Sequence, residues 1–218
     1  MKFLAALAAV LFALSSPALA APPAKPKARP AAAAPARVVL PKDVRPERYD
    51  IWIAPDAGNL SFKGRETIDL TVLKATNRIV LNAADLSFQK ASLDGVAAPP
   101  RIVLDAAQQT AAFVFARPLA PGRYRLSLEY TGKIYQQASG LFALDYEDKD
   151  GTKRRALFTQ FENSDARRFA PMWDEPGVKS VFAVTVDAPQ GQMVVSNMPA
   201  TKTERVGSVV RTHFADSP

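Results

Sequence analysis

Two residue types are missing or almost missing from this chain, and each absence removes a class of site. There is no cysteine, so neither a disulfide nor attachment of a lipid through a cysteine is available. There is one histidine, His213, so a metal site with two or more histidine ligands cannot be built from this sequence alone. Beyond the N-terminal segment, no window of a dozen residues shows helical periodicity, which favours an all-β fold.

The N-terminus has the composition of a secretory signal peptide. Lys2 precedes an apolar run over residues 3–14, and Ala18-Leu19-Ala20 offers a cleavage site of small residues. Residues 1–20 are therefore predicted to be a signal peptide, which implies a periplasmic or secreted protein with no spanning segment after cleavage. A retained membrane anchor is the alternative, although the run is short for one. Residues 21–37, mainly Ala, Pro, Lys and Arg, are predicted to be a disordered linker.

Most of the positive charge lies in these first 37 residues. The net charge of the chain is +7, and the signal peptide and linker contribute five of those charges, which leaves +2 for residues 38–218. A weakly basic domain gives no electrostatic reason to expect a nucleic-acid partner.

Residues 38–218 form one predicted domain in which apolar and polar side chains alternate in short runs, as they do in strands with one buried face. Turn sequences at residues 56–59, 118–122 and 148–151 separate several runs. The pattern predicts an all-β fold, an antiparallel β-sandwich built from hairpins. Strands are predicted around residues 49–53, 67–72, 79–81, 102–104, 111–115, 124–130, 155–160, 182–186 and 193–195.

Carboxylates, arginines and aromatic side chains are concentrated in residues 159–176. In an extended chain Gln160 and Glu162 lie on the same side, so we expect their side chains to project together from a strand end. Such a carboxylate can hold a cation, act as an acid or base, or pair with an arginine such as Arg167 or Arg168. From spacing alone, a salt-bridge network that holds the loop is favoured over a ligand site.

Several separated blocks resemble the N-terminal domain of the aminopeptidase N family of zinc metallopeptidases. The blocks follow the family's order over roughly residues 38–216. The resemblance implies a saddle-like β-sandwich that packs against a thermolysin-like catalytic domain and forms one wall of its active-site cleft. The blocks are Thr159-Gln160-Phe161-Glu162, Asp165-Ala166-Arg167-Arg168, Pro171-x-Trp173-Asp174-Glu175-Pro176 and Ser196-Asn197-Met198-Pro199.

The same resemblance implies roles for individual residues. Glu162 matches the glutamate that binds the free α-amine of a peptide substrate, and Gln160 matches a residue that lines the first specificity pocket. The rest of the motif is assigned to structure, with Asp174 paired to Arg167 and Pro176 fixing a turn. The parent protein implied is a zinc-dependent enzyme that removes N-terminal amino acids from peptides. The structural residues are Arg167, Asp174, Glu175 and Pro176.

The chain departs from that family in the motifs that carry catalysis. A His-Glu-x-x-His motif followed by a further glutamate, which the family needs to hold zinc and activate water, does not occur in this sequence. We therefore expect the chain by itself to have no catalytic residues, to bind no metal and to hydrolyse nothing. We also expect a fragment that ends before the last strand of its domain and before the catalytic domain.

Three other functions remain open on the sequence alone. A secreted, non-catalytic β-sandwich module could bind carbohydrate or protein through Trp52, Trp173 and the tyrosines, provided that these aromatic side chains are exposed. A glycosidase could use Glu162 with Asp165 or Asp174 as its acid and base. A non-catalytic relative of the family could serve as a scaffold.

Overall fold

The structure is a computed structural model that describes residues 39–218, so the predicted signal peptide and the whole of the predicted linker lie outside the described residues. Among those residues, no helix is long and apolar enough to cross a membrane. The only helical element within residues 39–218 is a 3-10 turn at Ala166–Arg168. The strands are β1 (Val44–Asp56), β2 (Ser61–Val72), β3 (Thr76–Asn82), β4 (Leu86–Leu93), β5 (Arg101–Asp105), β6 (Thr110–Leu119), β7 (Gly122–Lys133), β8 (Gly140–Glu147), β9 (Lys153–Gln160), β10 (Val181–Pro189), β11 (Ala200–Val206) and β12 (Val209–Phe214).

The strands form three sheets. The largest has seven strands in the order β11-β12-β10-β1-β2-β7-β4, the second has the order β3-β6-β5, and β8 pairs with β9 as a hairpin. The predicted β-sandwich of mainly antiparallel strands is confirmed. One pair differs, because β1 and β10 run parallel. Parallel pairing needs a crossover connection rather than a tight turn, and the long chain segment between β1 and β10 provides it.

The core lies between the seven-stranded and three-stranded sheets. Alternation along β1 places Tyr49, Ile51 and Ile53 on the inner face, where each is at most 3% exposed. Phe88 of β4 meets Phe113 of β6 edge to face, with ring centroids 5.5 Å apart. This contact joins the two sheets across the core.

Two glycines of the seven-stranded sheet lie under aromatic rings of the neighbouring strand. Gly64 of β2 pairs with Tyr130 of β7, and Gly132 of β7 pairs with Phe62 of β2. A Cβ atom at either glycine would overlap the facing ring. The two buried rings meet edge to face, 6.4 Å apart. Each strand therefore contributes one aromatic ring and one glycine, and the glycine leaves space for the ring of the neighbouring strand.

The prediction of a strand at residues 193–195 is wrong. Met193 and Val195 are 87% and 77% exposed, and they belong to the connection between β10 and β11. Pro189 ends β10, and Gly191, with φ of +86°, turns the chain away from the sheet. The last hairpin is instead β11 and β12, whose many charged residues hide the strand pattern.

Candidate functional site

Gln160 is the last residue of the β8–β9 hairpin, and Glu162 lies two residues beyond it. Phe161 packs against the partly buried ring of Phe169, with ring centroids 5.3 Å apart. Gln160 and Glu162 are exposed, and the Gln160 side-chain amide lies 3.5 Å from the Glu162 carbonyl oxygen. The peptide bond between Glu162 and Asn163 is cis. The aromatic contact thus holds the chain while two polar side chains stay at the surface.

The arginines that follow are paired with carboxylates other than Glu162. Arg167 Nε donates to Asp174 Oδ2 at 2.9 Å, and Arg168 Nε donates to Asp165 Oδ1 at 2.8 Å. In the part of the chain that the structure describes, the Glu162 carboxylate has no hydrogen-bond or ion-pair partner. The arginine pairs also weaken the glycosidase alternative. Its two candidate second carboxyls, Asp165 and Asp174, already accept hydrogen bonds from Arg168 and Arg167.

The pair of Arg167 and Asp174 is largely shielded from solvent, since each side chain is 13% exposed. The guanidinium also donates to the Asp174 carbonyl oxygen at 3.3 Å. The Asp174 backbone N–H donates to Asn82 Oδ1 at 3.1 Å, and Asn82 exchanges two backbone hydrogen bonds with Met172. These contacts attach residues 166–174 to the end of β3.

Glu175 and Pro176 make a second attachment. Glu175 Oε1 accepts from the Leu40 backbone N–H at 2.7 Å, which ties down the chain just before β1. The Glu175 carbonyl accepts from the Val178 N–H at 2.9 Å, so residues 175–178 form a turn with Pro176 at its second position. Proline suits that position because its ring fixes φ near the value that the turn needs.

Neither tryptophan is an exposed platform for stacking on a ligand. Trp173 is 7% exposed, and its backbone N–H donates to the Tyr49 hydroxyl at 3.1 Å. Trp52 is half-buried, and the Arg65 guanidinium lies 4.1 Å from its ring centroid. The binding-module alternative depends on exposed aromatic side chains, and the geometry does not favour it at the two tryptophans, whereas Tyr146 is 50% exposed.

Sequence reasoning missed three residues that hold this segment in place. Asn82 bonds the backbone at Asp174, and Asp85 and Tyr135 both bond the Arg168 side chain. An isolated polar residue in the apolar run 79–84 was an available signal for Asn82, which is 1% exposed. Asp85 and Tyr135 gave no comparable signal, because their partners lie far away in sequence.

Zinc is the cofactor that the family resemblance implies for the parent protein. Within residues 39–218, no three His, Cys, Asp or Glu side chains are grouped so that they could hold a metal ion. His213 lies at β12, where its Nδ1 is 3.1 Å from Thr185 Oγ1 and its Nε2 is 3.1 Å from Glu204 Oε1. The described residues therefore do not fit a zinc site, and no chemical step through zinc is assigned to them.

Known proteins match this chain along most of its length. The family described as Peptidase M1 N-terminal domain matches residues 45–218. "Aminopeptidase N" of Acetobacter pasteurianus is 40% identical over 181 residues, which cover 82% of this chain and 50% of that protein. "Aminopeptidase M1" of Arabidopsis thaliana is 35% identical over 186 residues, with 82% and 21% covered. "Endoplasmic reticulum aminopeptidase 1" of Rattus norvegicus is 28% identical over 225 residues, with 98% and 24% covered. The chain thus spans half or less of the length of these relatives.

Proposed function

The chain belongs to the Peptidase M1 N-terminal domain family, and from this premise we propose that it is the substrate-recognition part of a secreted zinc aminopeptidase. In this proposal a longer protein removes N-terminal amino acids from peptides. A thermolysin-like catalytic domain of that protein supplies the zinc and the reacting groups, and this chain supplies the facing wall of the cleft. The chain by itself is non-catalytic.

Glu162 is the proposed anchor for the substrate's free α-amine. The observation that carries this role is that its exposed carboxylate has no partner among residues 39–218, whereas Arg167 and Arg168 are paired with other acids. A protonated amine is a cation with three donors, and its hydrogen bond to a carboxylate strengthens where a second wall excludes water. Gln160, next to it at the strand end, is the proposed first-pocket residue.

The anchor explains why such an enzyme would act at N-termini. If the amine is held at Glu162, the distance from the chain end to the bond that is cut is fixed, and a peptide with a blocked N-terminus loses the contact. The pairs made by Arg167 with Asp174 and by Glu175 with Leu40 have a supporting role in this scheme, since they hold the loop that carries Glu162.

The location is part of the proposal. The composition of residues 1–20 supports a signal peptide, that of residues 21–37 supports a linker, and together they support a periplasmic or secreted protein. The partners proposed are peptides with a free N-terminus and the catalytic domain of the same protein. No nucleic-acid partner is proposed.

Replacing Glu162 in the longer protein tests the anchor. With Glu162→Gln, we expect kcat/KM for L-alanine 4-nitroanilide to fall about 10- to 100-fold, because a hydrogen bond to a charged group contributes about 1.5–3 kcal/mol. Steady-state kinetics should show the loss mainly as a raised KM, since the amine is bound in both ground state and transition state.

Glu147→Gln is the matched control, because Glu147 is an exposed glutamate on the same hairpin. It should leave kcat/KM unchanged. Normal kinetics of the Glu162→Gln enzyme would overturn the anchor. A longer protein that releases no N-terminal amino acid from any unblocked peptide would overturn the aminopeptidase assignment itself.

A further inference from the structure

Arg168 lies at the centre of a polar cluster at the open end of the β8–β9 hairpin. Its Nε donates to Asp165 at 2.8 Å, and its Nη1 donates to the Tyr135 hydroxyl at 3.1 Å and to Asp85 Oδ2. The Tyr135 hydroxyl in turn donates to the same Asp85 oxygen. We refer to Asp85, Tyr135, Asp165 and Arg168 as the Arg168 brace.

Electrostatics favour one charge state of this cluster at neutral pH. The Tyr135 hydrogen bond lowers the pKa of Asp85, and the charges of Lys133 and Arg168 lower it further. Burial, together with the bond to Asp85, raises the pKa of Tyr135 to about 12. The Lys133 ammonium lies 3.5 Å from the Asp85 carboxylate and 4.6 Å from the Tyr135 ring centroid. An ionised Asp85 therefore accepts from a neutral Tyr135, and each hydrogen bond has a single direction.

Tyr135 connects this cluster to the hairpin through its backbone. Its N–H donates to the Leu141 carbonyl and its carbonyl accepts from the Ala143 N–H, both at 2.8 Å. At the other side of the cluster, Asp85 directly precedes β4 in the seven-stranded sheet. The brace thus links the edge of the large sheet to the first strand of the hairpin.

Gly140, the first residue of β8, connects the brace to the second strand of the hairpin. Gly140 pairs with Gln160 in the β8–β9 register and has φ of +60°, a backbone conformation that favours glycine. A Cβ atom at Gly140 would lie 2.9 Å from the Cβ atom of Arg168 and 3.5 Å from the Asp165 carbonyl oxygen. The brace therefore packs directly against the residue opposite Gln160.

We propose that Arg168, held by Asp85 and Tyr135, is a positioning residue that fixes the direction in which Gln160 and Glu162 project. This inference rests on the proposed function, because it assigns the brace to amine recognition. A two-stranded hairpin is marginally stable without further support, so its end needs an external contact to keep one geometry. Displacing a binding group by about 1 Å is enough to reduce catalysis strongly, and Arg168 thus acts through Glu162.

Tyr135→Phe in the longer protein removes one hydroxyl from the brace and keeps the ring. We expect kcat/KM for L-alanine 4-nitroanilide to fall about fivefold, the loss of one modest hydrogen bond. In a Glu162→Gln background the same change should cost clearly less than fivefold, because the anchor that the brace positions is already lost and only Gln160 is still positioned. Tyr146→Phe is the control, since Tyr146 is 50% exposed on the same hairpin.

The outcomes separate this inference from the proposed function. An equal fivefold loss in both backgrounds, or no loss in either, would overturn the positioning role of the brace while leaving the anchor intact. An unaffected Glu162→Gln enzyme would overturn the anchor itself. The 218-residue chain gives a readout without activity: backbone order parameters at Gln160 and Glu162 should fall in Tyr135→Phe and not in Tyr146→Phe, and unchanged values would contradict the brace.

Discussion

Replacing Asp174 by alanine should lower the free energy of unfolding by about 3 kcal/mol, because it leaves the Arg167 guanidinium largely buried without its ionic partner. The remaining acceptors are Gln109 Oε1 at 3.4 Å and the Asp174 carbonyl at 3.3 Å, and both are neutral. Urea unfolding of the 218-residue chain, followed by circular dichroism, measures the change.

Two comparisons establish that burial of the ion pair causes the loss. The double variant Arg167→Met with Asp174→Ala should recover part of the stability, because no unpaired charge stays buried. Asp145→Ala breaks an arginine pair of similar geometry with Arg155, but that pair is exposed, at 62% for Asp145 and 31% for Arg155. The Asp145→Ala variant should therefore be as stable as the unmodified chain. Equal losses from Asp174→Ala and Asp145→Ala would contradict the explanation.

A second large effect is expected from pH, through Glu66. This residue of β2 is 2% exposed, and neither carboxylate oxygen has a hydrogen-bond partner among the residues that the structure describes. Burial raises the pKa of Glu66 well above its ordinary value. The titratable side chains that its charge would reach are Tyr49 and Tyr130, and a negative charge there would raise both tyrosine pKa values.

The raised pKa makes the folded state keep a proton that the unfolded state loses. Above the ordinary glutamate pKa of about 4.3, the unfolded chain is ionised at Glu66 while the folded chain remains neutral. The free energy of unfolding contributed by Glu66 therefore falls with rising pH, by up to about 1.4 kcal/mol per pH unit, until the folded-state pKa is reached. Carboxyls with lowered pKa values, such as Asp187 beside Arg211, act in the opposite direction at lower pH.

Glu66→Gln removes the ionisable group and keeps the size of the side chain. The variant should gain stability relative to the unmodified chain, and the gain should grow between pH 5 and pH 7. Glu129→Gln, at an exposed position of β7, should reproduce the unmodified pH profile. Parallel profiles for the Glu66→Gln variant and the unmodified chain would show that the folded protein ionises Glu66 normally.

The local alternation of apolar and polar residues was sufficient to predict much of the fold. Strict alternation identified β1, β2 and β7, because each buries one face and exposes the other. It failed for β11, whose side chains are almost all exposed, so that the strand has no apolar stripe to detect. The parallel pairing of β1 with β10 was also beyond local pattern, since it depends on strands far apart in sequence.

The candidate site, like the fold, could be predicted only in part from the sequence. Alternation predicted that Gln160 and Glu162 would leave the strand end on one side, away from Phe161, and both are exposed in the structure. Spacing alone could not decide which acid pairs with which arginine. That choice depends on Asp85 and Asn82, which reach residues 166–174 only in the folded chain. The amine-binding role of Glu162 remains a prediction.

The exchange of rings and glycines between β2 and β7 has a consequence for folding. If β2 slid by two residues in one direction, Tyr130 would face Glu66 and glycine would face glycine, leaving a hole. Sliding in the other direction would set Phe62 directly against Tyr130. Only the native alignment fills both spaces, so misaligned pairings of these strands are disfavoured by steric clash as well as by lost contacts. The two glycines thus act as a check on how the sheet is assembled, which hydrophobic alternation by itself cannot provide.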